Sequence, residues 1–313
     1  MAAAAPRPAL TTTEVVRKRL EGGQVEWRGL IFEGLLLGSL LVAFAILVAL
    51  LVTIFVSGLP VLLERGLDFF TAPLAADPGR AGVGQGIFGS LVLIGFVIIV
   101  AIPIGVGAAV YLEEYARDTW FTRLINTTVR NLAGVPAIVY GLLGLAFFVV
   151  IAEPLGNGGR NVYAGGLTLG VLVLPIVIIT SAEALRAVPW TIREAAYGVG
   201  ATRWEVVRSH VLPYAAPGIL TGTILTLARA LGETAPLIVI GAIVGTFRYT
   251  AESFVDQLSG PFTGLPTIIY AWAKRPDAEF REITSAAIIV LLVALLTVNA
   301  AAIYLRNRFE RRW

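Results

Sequence analysis

The sequence contains no cysteine and one histidine, His210. The missing cysteines exclude a disulfide framework, a thiolate zinc cluster and thiol catalysis, and one imidazole is too few for a histidine metal centre or a nucleophile triad. Lysine is scarce as well, at positions 18 and 274 only, and charged residues make up 14% of the 313-residue chain. A soluble domain of that size needs more charge to keep its surface wet. The arginines do not cluster as a nucleic-acid footprint would require. No Gly-Lys-Ser or Gly-Lys-Thr phosphate loop occurs, so this chain cannot hydrolyse ATP by itself.

What is abundant is apolar: 57% of residues are hydrophobic and the mean hydropathy is +0.82. These residues fall into long runs instead of alternating with polar ones. With about 20 apolar residues needed to cross the hydrocarbon, spans are expected near 35–58, 87–112, 132–152, 164–184, 217–244 and 284–305. The fold class is therefore all-α, a polytopic membrane protein with six transmembrane helices. The first run is too long and too far from the start to be a cleaved signal peptide.

Basic residues gather on the cytoplasmic side of membrane proteins. Here Arg7, Arg17, Lys18, Arg19 and Arg28 precede the first span, and Arg117, Arg123 and Arg130 follow the second. Arg186, Arg193, Arg203 and Arg208 follow the fourth, and Arg306, Arg308, Arg311 and Arg312 close the chain. The intervening loops are poorer, with Arg65 and Arg80 after the first span and Arg160 after the third. The loop after the fifth is ambiguous but long and acid-balanced, where the rule acts weakly. Both termini are expected in the cytoplasm of a cell that holds this chain in its plasma (inner) membrane. Residues 1–33 then form a cytoplasmic N-terminal segment, either an interfacial amphipathic helix or a solvated basic leader, and residues 34–313 form the transmembrane domain. The stretch from Pro60 to Gly86, rich in Gly, Pro and Asp, reads as an external excursion.

Between the fourth and fifth spans, residues 185–213 form a cytoplasmic loop too polar to cross. Thr191 with Glu194, and Thr202 with Glu205, each fit the T-x-x-E capping box that starts a helix. Gly198 and Gly200 mark a turn between the two helices, and Pro213 is expected to stop the second. Trp204, Val207 and Val211 recur at helical spacing. That stripe either packs back on the bundle or docks in a groove of a partner protein. His210, at the helix end, reads as a packing residue.

The fifth span carries Arg229 and Glu233, four residues apart and so on one helical face, with Thr226 one turn earlier. Charge at bilayer depth is costly and faces protein or water. Pro236 removes a backbone donor beside Gly232 and invites a kink. Either the pair locks two helices together, or it lines a conduit. In the second case Arg229 suits a tetrahedral oxyanion, and Glu233 competes for the guanidinium and keeps retention weak enough for release. In the third span Gly134, Gly141 and Gly144 permit tight crossings and Pro136 a mid-span bend.

The stretch "EAAYGVGATRWEVVRSHVLP" resembles the EAA loop of ABC-importer permeases, with Glu194, Ala195, Ala196, Gly200, Leu212 and Pro213 on the pattern and His210 where isoleucine is usual. "NLAGVPAIVYGLLGL" (131–145) and "ARALGETAPL" (228–237) resemble the paired signatures of permeases in Pst-type phosphate importers, and "GLPTIIYAWAKRP" (264–276) and "NRFERRW" (307–313) are similar to the PstA-type subunits in particular.

The resemblance implies the type I (MetI-like) ABC-importer permease fold and half of a translocation pathway for inorganic phosphate. Arg229, Glu233 and Thr226 would line it, and Glu194, Ala195, Ala196 and Gly200 would couple it to the ATPase. It further implies a homologous PstC-type permease, two PstB-type ATPase subunits holding ATP and Mg, and an external PstS-type phosphate-binding protein. No cofactor is expected in this chain, nor any nucleic-acid partner. A sulfate or molybdate permease is the nearest alternative. An ion-coupled secondary anion transporter would explain the Arg–Glu pair but not the EAA-like loop.

Overall fold

The computed structural model describes residues 27–242 and 254–309. Residues 1–26 of the N-terminal segment, whether interfacial helix or basic leader, and residues 310–313 of the "NRFERRW" motif lie outside that range; residues 27–33, expected in that segment, instead begin the first helix. All regular structure among the described residues is helical. Six helices are long and apolar enough to cross a membrane.

The first, α1 (Trp27–Arg65), starts in a compact unit spanning residues 1–53 and ends in a second spanning 54–313. In the first unit Leu35, Leu40 and Phe44 are more than half exposed, as expected where lipid takes the place of a protein core. The hydroxyls of Ser39 and Thr53 donate to the carbonyls of Leu36 and Ala49, because hydrocarbon offers them no other acceptor.

In the second unit a short α2 (Leu67–Thr71) leads to α3 (Gly84–Tyr115). There follow α4 (Trp120–Ala133), α5 (Ala137–Leu155), α6 (Val162–Arg186) and the short α7 (Trp190–Gly198). Next come α8 (Arg203–Gly232), α9 (Ala235–Ile240), α10 (Phe254–Ser259), α11 (Leu265–Ala273) and α12 (Ala278–Phe309).

The most enclosed helix is α6, which packs against α3, α5 and α8. Leu93, Val97, Tyr140, Leu169, Val173, Leu227 and Leu237 form the main core there. A second core joins α2, α11 and α12 through Phe69, Trp272 and Phe280. Arg65 ties the Pro60–Gly86 excursion to this core by donating to the carbonyls of Pro78 and Ala81, at 3.2 and 2.7 Å. A third core lies under α7 and is built from Ala109, Leu185, Val188, Ala196, Val206, Val211 and Ala215.

The expected spans are present with shifted ends, and three details differ from the sequence reading. The third span begins at Ala137, so Pro136 precedes it and does not bend its middle; proline disfavours helical backbone in the residue before it. Pro213 does not stop the coupling helix. The Leu212 amide bonds the Val207 carbonyl in a π-turn, and Pro213 sits at the first turn of the α-helical run that follows, where its missing donor costs least. The fifth span is not one helix to residue 244, because α8 ends at Gly232, Glu233 is extended and α9 restarts after Thr234.

Candidate functional site

Arg229 and Glu233 meet across the break between α8 and α9. Arg229 Nε lies 3.3 Å from Glu233 Oε1, with the arginine side chain 46% exposed and the glutamate 20%. The pairing inferred from helical spacing is thus made, although Glu233 has left the helix (φ −79°, ψ 116°). Its amide still reaches the Ala230 carbonyl at 3.4 Å, and Pro236 starts α9 as a first-turn residue. Ending α8 here frees carbonyls at its C-terminus, the negative end of the helix, where a guanidinium is favoured. Thr226 is fully buried and its hydroxyl donates to the Gly222 carbonyl at 2.8 Å. It therefore shares the helix with the pair while its own polar atom is satisfied locally.

The break is held by close backbone packing. A Cβ on Gly141 of α5 would fall 2.8 Å from Pro236 Cα. Tyr140 beside it is buried and donates to the Leu132 carbonyl at 2.8 Å. About three turns before the break in α8, a Cβ on Gly222 would fall 2.3 Å from Thr180 Oγ1 of α6. Glycines thus let α5 and α6 press against the segment that carries the charged pair.

The second locus is the helix–turn–helix of α7 and the start of α8. The box at Thr202 forms as read: the Glu205 amide donates to Thr202 Oγ1 at 3.4 Å and the Thr202 amide to Glu205 Oε2 at 2.7 Å. The box at Thr191 does not. Pro189 sets the N-cap and Trp190 is the first helical residue, so Thr191 lies inside the first turn with its hydroxyl out of capping position. At the other end of α7, Gly200 has φ +86°. The Ala201 amide reaches the Ala196 carbonyl at 3.1 Å and the Gly200 amide reaches Tyr197 at 2.9 Å, the two bonds of a Schellman ending.

The four coupling residues divide by position. Ala196 is buried in the core under α7, Gly200 makes the turn, and Glu194 and Ala195 are exposed. Of the apolar stripe, Val207 and Val211 are buried but Trp204 is 56% exposed. It belongs instead to an outward set with Trp190, Tyr197 and Val199, the last 86% exposed. His210 is exposed, so it does not pack in the core.

The sequence reading gave Arg193 no role beyond membrane topology. It is 7% exposed and donates through Nη1 to the Val188 carbonyl (2.8 Å) and through Nη2 to the Leu185 carbonyl (3.0 Å) and Glu114 Oε1 (2.6 Å). Its guanidinium also stacks 5.6 Å from the Trp190 ring centroid. Beside it Arg186 Nε donates to Glu113 Oε2 at 2.8 Å. The end of α3, the end of α6 and the start of α7 are therefore joined by two ion pairs, one buried. The visible signal was Glu113–Glu114, adjacent acids closing an apolar run with arginines two spans later.

Six helices among the described residues are long and apolar enough to cross a membrane, and the fourth, the most enclosed, is followed by a capped helix–turn–helix; this is a polytopic membrane protein of the ABC-importer permease class. The chain belongs to the family described as "Binding-protein-dependent transport system inner membrane component", which matches residues 101–313. It is 36% identical over 232 residues to "Phosphate transport system permease protein PstA 1" of Mycobacterium tuberculosis (strain CDC 1551 / Oshkosh), covering 74% of this chain and 72% of that protein. It is also 34% identical to "Phosphate transport system permease protein PstA" of Yersinia pestis, over 76% of this chain and 79% of that one. Among solved structures, a bacterial alginate ABC transporter in complex with an alginate pentasaccharide-bound periplasmic protein matches with TM-score 0.60 at 16% identity, over 91% of this chain and 98% of that one. An inward-facing MetNI methionine ABC transporter matches with TM-score 0.54 at 18% identity, over 74% and 95%. These two share the fold.

Proposed function

We propose that this multi-pass membrane protein is the permease subunit forming half of the inorganic phosphate pathway in an ATP-driven importer. The observation that carries the reading is Arg229, a half-exposed guanidinium held by Glu233 at a helix break within a membrane span. A guanidinium offers several donors in one plane to a tetrahedral oxyanion. Glu233 orients it while the site is empty and competes with bound anion, so retention stays weak enough for transfer. Thr226 lies one turn before Arg229 on the same helix, and its hydroxyl becomes a further donor when local rotation frees it from Gly222. The phosphate-transport names of the relatives support the choice of anion.

ATP and Mg are bound by a pair of ATPase subunits, and a second, homologous permease supplies the other half of the path. An external binding protein delivers phosphate. Both termini and the basic loops face the cytoplasm. Glu194, Ala195, Tyr197 and Val199 present the docking face of α7, while Gly200 fixes its turn. Arg193 carries movement of α7 into α3 through Glu114 and into the end of α6 through the Leu185 and Val188 carbonyls. ATP binding thereby biases two arrangements of the bundle, which is what alternating access requires.

The test of substrate class is competition in proteoliposomes holding the assembled transporter. Unlabelled phosphate is expected to suppress labelled phosphate uptake, while sulfate and molybdate at the same concentration leave it nearly unchanged. Equal suppression by sulfate would reject the phosphate assignment.

A further inference from the structure

Helix α4 (Trp120–Ala133) has no part in the reading above, and its surface is unlike that of any span. Residues 116–119 link it to the end of α3 and residues 134–136 to the start of α5. Short links at both ends hold it at the level where two membrane-crossing helices terminate. Its 14 residues span about 21 Å, too short for a hydrocarbon core of about 30 Å. Thr119 starts it by accepting from the Thr122 amide at 3.3 Å.

The helix has three distinct flanks. Ile125 and Val129 are half-buried where α4 packs along α6. Phe121, Leu124 and Leu132, at helical spacing, are 57%, 51% and 41% exposed, and Trp120 at the entry is 75% exposed. Arg123 and Arg130, two turns apart, lie on the remaining flank with Thr127 between them, all exposed, and Arg117 is exposed in the preceding link. Asp118 is the one carboxylate between residues 115 and 152. It is neutralised by Arg123, whose Nε and Nη2 donate to its two oxygens at 2.8 Å each and hold the carboxyl below its ordinary range. Arg117 and Arg130 are left as surplus positive charge.

We propose that α4 is an interfacial helix that rests on the lipid leaflet of the basic side. Phe121, Leu124 and Leu132 enter the acyl chains, Trp120 sits at headgroup level, and Arg117 and Arg130 face anionic headgroup phosphates. An apolar flank, an aromatic at its edge, an unneutralised arginine on the far flank and another just before the helix form the pattern of a helix lying in the membrane plane. Charge selects the occupant: a surplus of arginine with its single acid already paired complements anionic lipid.

The cysteine-free sequence makes the test clean. Leu124→Cys and Thr127→Cys are each spin-labelled in the full-length chain, assembled with its partner subunits in nanodiscs. Relaxation by oxygen, which partitions into acyl chains, is compared with relaxation by a water-soluble nickel chelate. The expected result is oxygen dominance at position 124 and nickel dominance at position 127. Equal nickel access at both would put the flank in water, and shielding of position 124 from both reagents would mean another protein chain covers it; either overturns the proposal. For the basic edge, a fluorophore on Leu124→Cys is quenched by headgroup-labelled phosphatidylglycerol or phosphatidylcholine. Preference for the anionic lipid is expected to fall about fivefold for each of Arg117→Gln and Arg130→Gln. An unchanged preference would remove the arginines from the lipid contact.

Discussion

Arg193 and Glu114 form a buried ion pair at 2.6 Å, with side chains 9% and 8% exposed, that fastens α7 to the end of the second membrane span. Two backbone carbonyls complete the arginine's donors, so its desolvation is compensated only while Glu114 and the α6 terminus stay in place. Removing one partner of such a pair leaves an uncompensated charge and costs about 3–5 kcal/mol. Glu114→Gln and Arg193→Met should each lower the thermal unfolding midpoint of the purified permease. The double substitution should cost less than the sum of the two, and a double-mutant cycle of unfolding midpoints reads that difference.

The same pair makes a kinetic prediction. Arg193→Lys keeps the charge but loses the planar fork that reaches Glu114 and both carbonyls. ATP hydrolysis by the assembled transporter should then persist while phosphate moved per ATP falls. Measuring uptake and hydrolysis in one preparation gives the ratio, and an unchanged ratio would remove Arg193 from the transmission path.

Gly200 adopts a left-handed backbone conformation that costs an L-residue about 1–2 kcal/mol. Gly200→Val should distort the turn between α7 and α8 and reduce co-purification of the ATPase while the permease still inserts. Gly200→Asn, which tolerates this backbone, should retain most of it.

Gly141 lies where a Cβ would meet Pro236 Cα at 2.8 Å, and backbone cannot yield as a side-chain tip can. Gly141→Ala is expected to destabilise the purified protein by about 1–3 kcal/mol through overpacking. Gly232, with open space around it, should accept alanine at far smaller cost in the same thermal assay.

The spans were legible because bilayer thickness dictates apolar length, which no other constraint on this chain imitates. The Thr202–Glu205 box and the Gly200 turn were legible because each rests on local chemistry. Thr191 misled because Pro189, two residues earlier, had already fixed where α7 begins. The break at Glu233 was half legible: Pro236 beside Gly232 invites a kink, but "GETAPLIVI" is apolar enough to read as one bent helix, and the full interruption shows only in the structure, where Pro236 meets Gly141 of another span. Arg193 was hidden for a related reason: in sequence a basic residue after a span serves topology, and its burial against Glu114 depends on a helix end 79 residues away. The α4 helix went unnoticed because its apolar residues are spaced for one flank, not gathered into a run.

At the charged pair, the two substitutions should act in opposite senses on retention. Arg229→Gln removes charged donors worth about 1.5–3 kcal/mol each, so uptake should fall by roughly ten- to a hundredfold. Glu233→Gln removes the competitor, so the half-saturating phosphate concentration should fall together with the maximal rate. Labelled uptake across a range of phosphate concentrations separates the two.

The most direct test of the central claim is phosphate uptake by proteoliposomes containing both permeases, with the ATPase subunits present or absent, supplied with ATP or with an ion gradient. Uptake should require the ATPase subunits and ATP together and should ignore the gradient. Gradient-driven uptake without the ATPase would contradict the assignment of this chain to an ATP-driven phosphate pathway.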